Sequence, residues 1–284
     1  MIGFRNENIR SIMSVLLAFI LCLCIFFLNV FLSCALTLFN QNFIISAINK
    51  SQFYEGAKKA IEEDFISLAI PAGIPEEIIY DILDENTVYN NITQNYISLF
   101  DNKYKSYDDN EMKSLISMNV REYAIQKGVG GVEFEKELPE LVGYFMDIYN
   151  KHINIPFISY YRSFRNTFNS ISIWFIVITI IITITIITFF YNLYIHKKKI
   201  LRYLYYSFSG ASIMTIIPSL IFYNIELSHR INISPKYVYN LISEVLEQGI
   251  SIIFYSGLFL LVISIIILIA SIIAEHKIKQ RFKR

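Results

Sequence analysis

The stretch "ISIWFIVITIIITITIITFF", residues 171–190, carries no charged side chain. Roughly 20 helical residues suffice to cross about 30 Å of hydrocarbon. Its alternating Ile and Thr favour a strand locally. In lipid, however, a lone segment must satisfy its own backbone N–H and C=O groups, and only a helix does so. A barrel is excluded because the apolarity is continuous rather than alternating. Three further stretches, 12–36, 203–223 and 250–273, have the same character, in a chain that is 54% hydrophobic over 284 residues. The expected fold is therefore an all-α integral membrane protein with four transmembrane helices. An extracytoplasmic helical-bundle domain is expected between the first and second.

Charge orients these spans. Residues 195–202 hold Lys197, Lys198, Lys199 and Arg202 without an acid, and the segment from Glu275 onward holds five basic residues against that one acid. Residues 1–11 have Arg5 and Arg10 against Glu7. Residues 40–170 instead carry twelve Lys/Arg against nineteen Asp/Glu, and 224–249 carry two against three. Positive loops stay in the cytoplasm, so Lys197, Lys198, Lys199 and Arg202 are the topology signal. The resulting map has a cytoplasmic N-terminus at 1–11 and a first span at 12–36. An extracytoplasmic domain at 37–170 leads to the second span at 171–194. A cytoplasmic turn at 195–202 precedes the third span at 203–223. An outer loop with an amphipathic helix at 224–249, a fourth span at 250–273 and a basic cytoplasmic tail at 274–284 complete it. The expected location is the plasma membrane, with both termini inside.

Ser33-Cys34-Ala35 has the small-x-small spacing of a signal cleavage site. The apolar run before it is about twice the length of a signal core, so an uncleaved anchor is expected. Cys22, Cys24 and Cys34 all lie in this stretch. None lies in the outer domain, which argues against structural disulfides.

The outer domain reads as helices. Phe53, Ala57, Ile61, Phe65 and Leu68 fall on one helical face, with Lys58, Glu62 and Glu63 elsewhere. Pro75 with Glu76 and Glu77 marks a second start. A third helix is expected from Thr87 to Lys103, with Val88, Ile92, Tyr96, Leu99 and Phe100 inward. Asp108 and Glu111 have capping-box spacing for a fourth, which ends at "KGVGG". The last begins near Phe134 and carries Leu138, Leu141, Val142, Phe145 and Tyr149. Residues 11–49 contain no charge, so the first span is expected to continue outward as a stalk to about Ile48. "FISYYRSFRNTF" is expected to lead unbroken into the second span. In "SPKYVYNLISEVLEQG", Ser234 and Pro235 start a helix and Gly249 stops it. Its face of Val238, Leu241, Ile242, Val245 and Leu246 is expected to cover the bundle.

None of the four spans has an ionisable group in its interior, and such groups ordinarily mark ion and proton pathways. Small residues instead recur at packing intervals: Ser207, Ala211, Thr215 and Ser219 in the third span, and Gly257, Ser264 and Ser271 in the fourth. They suit close helix association, and one tight contact between these two spans is expected. Ser172, Thr179 and Thr183 share a face of the second span and suit either interhelical bonding or a polar lining.

Catalytic signatures are absent from the sequence. His152, His196, His229 and His276 are scattered, with no HExxH or His/Cys spacing. "EED" at 62–64 lacks calcium-loop spacing, "GVGG" is not followed by a phosphate-loop pattern, and Gly-x-Ser-x-Gly does not occur. No catalytic, metal or cofactor-binding residue is assigned, and no cofactor is expected. Asn49, Asn91 and Asn232 form glycosylation sequons that an Asn-rich chain also produces by chance. The excess of Ile, Asn, Lys, Tyr and Phe fits an AT-rich genome. The layout is similar to that of multi-span proteins of AT-rich Gram-positive bacteria, which gives a setting and no mechanism.

The expected function is non-enzymatic: a multi-span plasma-membrane protein that displays an acidic domain and acts by binding, as an envelope sensor, scaffold or accessory subunit. A small permease or channel component is the alternative, and an outward-facing hydrolase the second. Expected partners are the lipid bilayer and a membrane or envelope protein; homo-oligomerisation stays open, and nucleic acid is not expected.

Overall fold

The computed structural model of the protein describes residues 7–98, 100, 107–154, 158–194, 197–225 and 233–281. Among these described residues the helices are α1 (Glu7–Leu36), α2 (Gln41–Lys50), α3 (Phe53–Ala69), α4 (Glu76–Ile82), α5 (Glu85–Ser98), α6 (Asp109–Gln126), α7 (Val132–Ile153), α8 (Ile158–Leu193), α9 (Lys197–Asn224) and α10 (Lys236–Arg281), and there is no strand. They form two compact units. The first comprises Met1–Asn40, Arg165–Ile231 and Val245–Arg284; the second comprises Gln41–Phe164 and Asn232–Glu244.

The first unit contains the apolar helices. Stretches of α1, α8, α9 and α10 (Ile9–Leu36, Tyr160–Leu193, Lys199–Asn224 and Lys236–Ala274) are long and apolar enough to cross a membrane, the mark of a multi-pass membrane protein. Large apolar side chains cover their outer faces, among them Trp174 at 69% and Phe259 at 66% exposure. In water such a surface would be a continuous hydrophobic patch, whereas lipid solvates it.

Inside the unit, α1 packs along α9. Ala18 and Leu21 cluster with Ile186, Phe190, Leu193, Tyr194 and Ile200, while Cys22, Ala211 and Leu260 form a neighbouring cluster. Phe31 of α1 stacks on Phe168 and Phe175 of α8 at 4.3 and 4.8 Å between centroids. The three cysteines are free thiols.

The structure departs from several of the boundaries expected above. The first span does not continue as a stalk: α1 ends at Leu36, residues 37–39 turn, and α2 starts separately at Gln41. The Thr37 hydroxyl donates to the Ser33 carbonyl at 2.9 Å. Asn40, a residue type favoured at helix N-caps, stands at the junction. Nor does Gly249 stop a helix, because α10 runs through it to Arg281. A glycine inside a helix costs only about 1 kcal/mol, and the apolar run on its far side favours continuation. The eight-residue turn at 195–202 is mostly helix, since α9 already starts at Lys197. By contrast, α8 is unbroken from Ile158 to Leu193.

The second unit is a helical bundle with its own core. Phe53, Ala57, Ile61, Phe65 and Ala69 of α3 are buried, as are Leu138, Val142, Phe145, Met146 and Tyr149 of α7. Phe65 meets Phe145 edge-on, with centroids 4.8 Å apart. The expected third helix is shorter than drawn. Val88, Ile92 and Tyr96 are buried, but α5 ends at Ser98, Phe100 lies beyond it, and Leu99 and 101–103 fall outside the described residues.

Helix α6 starts where the capping signal lies, with the Asp108 carboxylate accepting from the Asn110 backbone N–H at 3.0 Å. It ends in front of Gly128, whose φ of +74° is one that a Cβ would strain. Across the following turn Arg121 donates two bonds, at 2.9 and 2.8 Å, to the Glu135 carboxylate. Both side chains are about half exposed, so solvent screens this clasp and it adds little to stability.

Candidate functional site

The three-helix meeting of α3, α7 and α10 in the second unit holds the most organised polar chemistry among the described residues. On α7 the apolar stripe through Phe145 and Tyr149 continues, at steps of four and three, to position 152. This periodicity carries His152 into the interior at 7% exposure. On α3, Asp64 sits beside the buried face at Phe65. On α10, Tyr237 is the second residue, and its ring lies edge-on to Phe53 at 5.0 Å. Gly56 makes this approach achievable, since a Cβ there would stand 2.5 Å from Tyr237 Cβ.

The resulting chain is short. His152 Nε2 lies 2.8 Å from Asp64 Oδ2, and His152 Nδ1 lies 2.9 Å from the Tyr237 hydroxyl. Lys151 Nζ adds a 3.4 Å contact to the same carboxylate oxygen. The hydrogen bond from His152 holds the Asp64 carboxyl below the usual carboxylate range, against a smaller opposing effect of burial and with help from Lys151. An ionised carboxylate only accepts, so Nε2 is the donor; with a neutral ring, Nδ1 then accepts from the Tyr237 O–H. Burial pushes the Tyr237 phenol up to about 12, so at neutral pH it keeps its proton and is not an anionic nucleophile.

An acid–imidazole–hydroxyl series is the arrangement that orients a general base in nucleophilic catalysis. Here its outer end is sealed, because Tyr237 is 7% exposed. A cavity of about 620 Å³ opens on α6 beside Ser114, Met118, Arg121 and Ile125. Another of about 340 Å³ opens on α3 and α5 beside Tyr54, Lys58, Glu62 and Tyr89. Neither reaches His152 or Tyr237. The arrangement ties three helices together. Among the described residues, no three His, Cys, Asp or Glu side chains gather as a metal-binding group.

A second buried network lies alongside. The Asn91 amide donates to the Tyr149 hydroxyl at 2.8 Å, and the Tyr107 hydroxyl donates to Asn150. Asn91 is thus consumed inside the fold, which removes that sequon as an accessible acceptor. Asn49 is exposed, and Asn232 lies outside the described residues.

Of the small residues singled out for helix packing, Ser207, Ala211, Thr215, Ser219 and Ser264 are buried, while Ser271 is half-buried. Ser207 donates to the Ala18 carbonyl of α1 at 2.8 Å. A Cβ at Gly257 would stand 3.2 Å from Thr215 Cβ and 2.9 Å from Ile216 Cγ1. Ser212, which the four-residue repeat passes over, donates to the Gly257 carbonyl at 2.9 Å. Ser172 and Thr179 bond carbonyls of their own helix, at Asn169 and Phe175. Of the topology-signal residues, Lys199 and Arg202 are exposed near the start of α9, and the Lys197 and Lys198 side chains lie outside the described set.

Linkage gives the site a measurable signature. The depressed carboxyl of Asp64 contributes stability above the ordinary carboxylate range, and that contribution is lost as pH falls through its folded value. Between about pH 6 and pH 3, the parent's melting-temperature advantage over Asp64→Asn is expected to shrink. A constant gap across that range would show that the carboxylate has no partner of consequence.

The chain matches no protein-family model, no curated protein and no solved structure.

Proposed function

We propose that this multi-pass protein displays the helical bundle of residues 41–164 and 232–244 outside the plasma membrane, and that it acts there by binding, as an envelope sensor, scaffold or accessory subunit. Both termini are then cytoplasmic. The observation that carries this reading is the charge partition: the acidic excess falls in residues 40–170, while the cationic clusters fall at 195–202 and after Glu275. The chemistry of the bundle supports binding over catalysis, since its best-organised polar groups are spent internally on Asp64, His152 and Tyr237. Its surface offers Met118, Ile125, Val129 and Val132 exposed around α6, beside acidic side chains.

Single cysteines in a chain freed of Cys22, Cys24 and Cys34 test the display. Met118→Cys is expected to react with a membrane-impermeant maleimide on intact cells, and Lys199→Cys only after permeabilisation. The reverse pattern overturns the topology. A photo-crosslinking side chain at Ile125 in native membranes is then expected to give a discrete adduct, and its absence there and at Met118 and Val132 would remove the support for binding through this surface.

A further inference from the structure

Within the first unit, where α1 begins, α8 ends and α9 begins, two cations share one aromatic ring. The Arg10 guanidinium lies 5.1 Å from the centroid of Tyr194, and Lys199 Nζ lies 5.6 Å from the same centroid. The two charges are therefore no farther apart than those two distances combined.

The ring is fixed in place. Its hydroxyl lies 2.6 Å from Ser14 Oγ, Tyr203 stacks on it at 5.8 Å, and Tyr194 is itself buried. Arg10 is oriented as well, donating to the Leu193 carbonyl at 2.6 Å. The ion pairs among the described residues involve neither cation, since all of them lie in the second unit. Lys197, Lys198 and Arg202 raise the local positive charge further. The attraction of a ring face for a cation, about 0.5–1 kcal/mol at an exposed site, is comparable to the repulsion between two such charges in water. An anion between them reverses the sign of that repulsion.

The surroundings specify which anion. Phe190, Ile186 and Ile200 share a buried cluster with Tyr194, and on the α8 face that leads to Tyr194, Ile187 and Ile180 are exposed. A free anion gains nothing from such apolar surface, whereas a phospholipid places its phosphate beside the cations and its acyl chains along the helices. We propose that Arg10, Tyr194 and Lys199 form a headgroup site for an anionic phospholipid. The proposal rests on the reading that these helices cross a bilayer. It does not depend on which side the bundle faces or on what the bundle binds.

The full-length protein in mild detergent is titrated with phosphatidylglycerol, phosphatidylcholine or inorganic phosphate, and lipid retention is followed by native mass spectrometry alongside thermal melting. Phosphatidylglycerol is expected to be retained more strongly than phosphatidylcholine and to raise the melting temperature further. Lys199→Gln, at an exposed position, is expected to weaken phosphatidylglycerol retention about fivefold, as about 1 kcal/mol per basic residue implies, while melting in phosphatidylcholine stays with the parent. Arg10→Gln/Lys199→Gln is expected to abolish the lipid preference. Lys127→Gln, which removes a cation 5.7 Å from the Tyr123 ring in the second unit, should leave it intact. Equal retention of the two lipids, an undiminished preference in the double variant, or the same stabilisation by inorganic phosphate alone would each overturn the site. None of these outcomes bears on the maleimide accessibility result.

Discussion

Gly56→Ala is expected to lower the melting temperature of the full-length protein markedly, at a cost of about 3 kcal/mol, the upper part of the usual range for overpacking a tight contact. The added methyl would meet Tyr237 at its Cβ, 2.5 Å away, with Cα at 3.6 Å. Neither atom can be rotated aside, so the first turn of α10 must move. Its movement carries the Tyr237 hydroxyl away from His152 Nδ1, 2.9 Å distant, which forfeits about another 1 kcal/mol. Gly143→Ala is the matched control, because nothing lies within 4 Å of the added atom inside α7. There the helix-propensity difference predicts a gain of up to about 1 kcal/mol. If the two variants melt together in circular dichroism, α10 does not pack on α3 as described.

The second large effect is expected at the contact between α9 and α10. Lipid supplies little hydrophobic drive between helices, so close approach and dispersion hold them. Thr215→Phe and Gly257→Phe should each cost about 1–3 kcal/mol, because a Cβ at Gly257 already meets Thr215 at 3.2 Å. Ile216, whose Cγ1 would stand 2.9 Å from a Cβ at Gly257, is a poor control. Ile217 and Ile266 are 52% and 60% exposed, and phenylalanine at either should be nearly neutral in detergent. Four variants melting with the parent would reduce the small-residue rows to a compositional accident.

The membrane helices and most bundle faces were legible because one physical term dominates each. A long uncharged run has only one economical solution in lipid. A stripe at helical spacing has only one way to be buried, as Phe53, Ala57, Ile61 and Phe65 illustrate. Helix ends were harder. Asp108 signals its cap through side-chain chemistry, but the break at 37–40 has neither Gly nor Pro, and Gly249 is a breaker outweighed by its apolar neighbours.

The chain of Asp64, His152 and Tyr237 was not legible as a site. Its members lie 88 and 85 residues apart, and no local pattern links them. The available clue was that position 152 continues the stripe of Phe145 and Tyr149, which marks an interior histidine in need of partners. The cation pair on Tyr194 was half legible: the lysine run announced itself, while the role of Arg10 depends on α1 returning to the end of α8.

The bundle is assembled from two pieces of chain, residues 41–164 and 232–244. During synthesis, its first piece emerges complete except for the residues that cover Gly56 and engage His152. Residues 165–231 must be made before Tyr237 exists, an interval of roughly 3–13 seconds at about 5–20 residues per second. For that time His152 lacks its phenol and the Phe53 edge is open. Closure by Tyr237 can therefore follow only after the two intervening helices have been made.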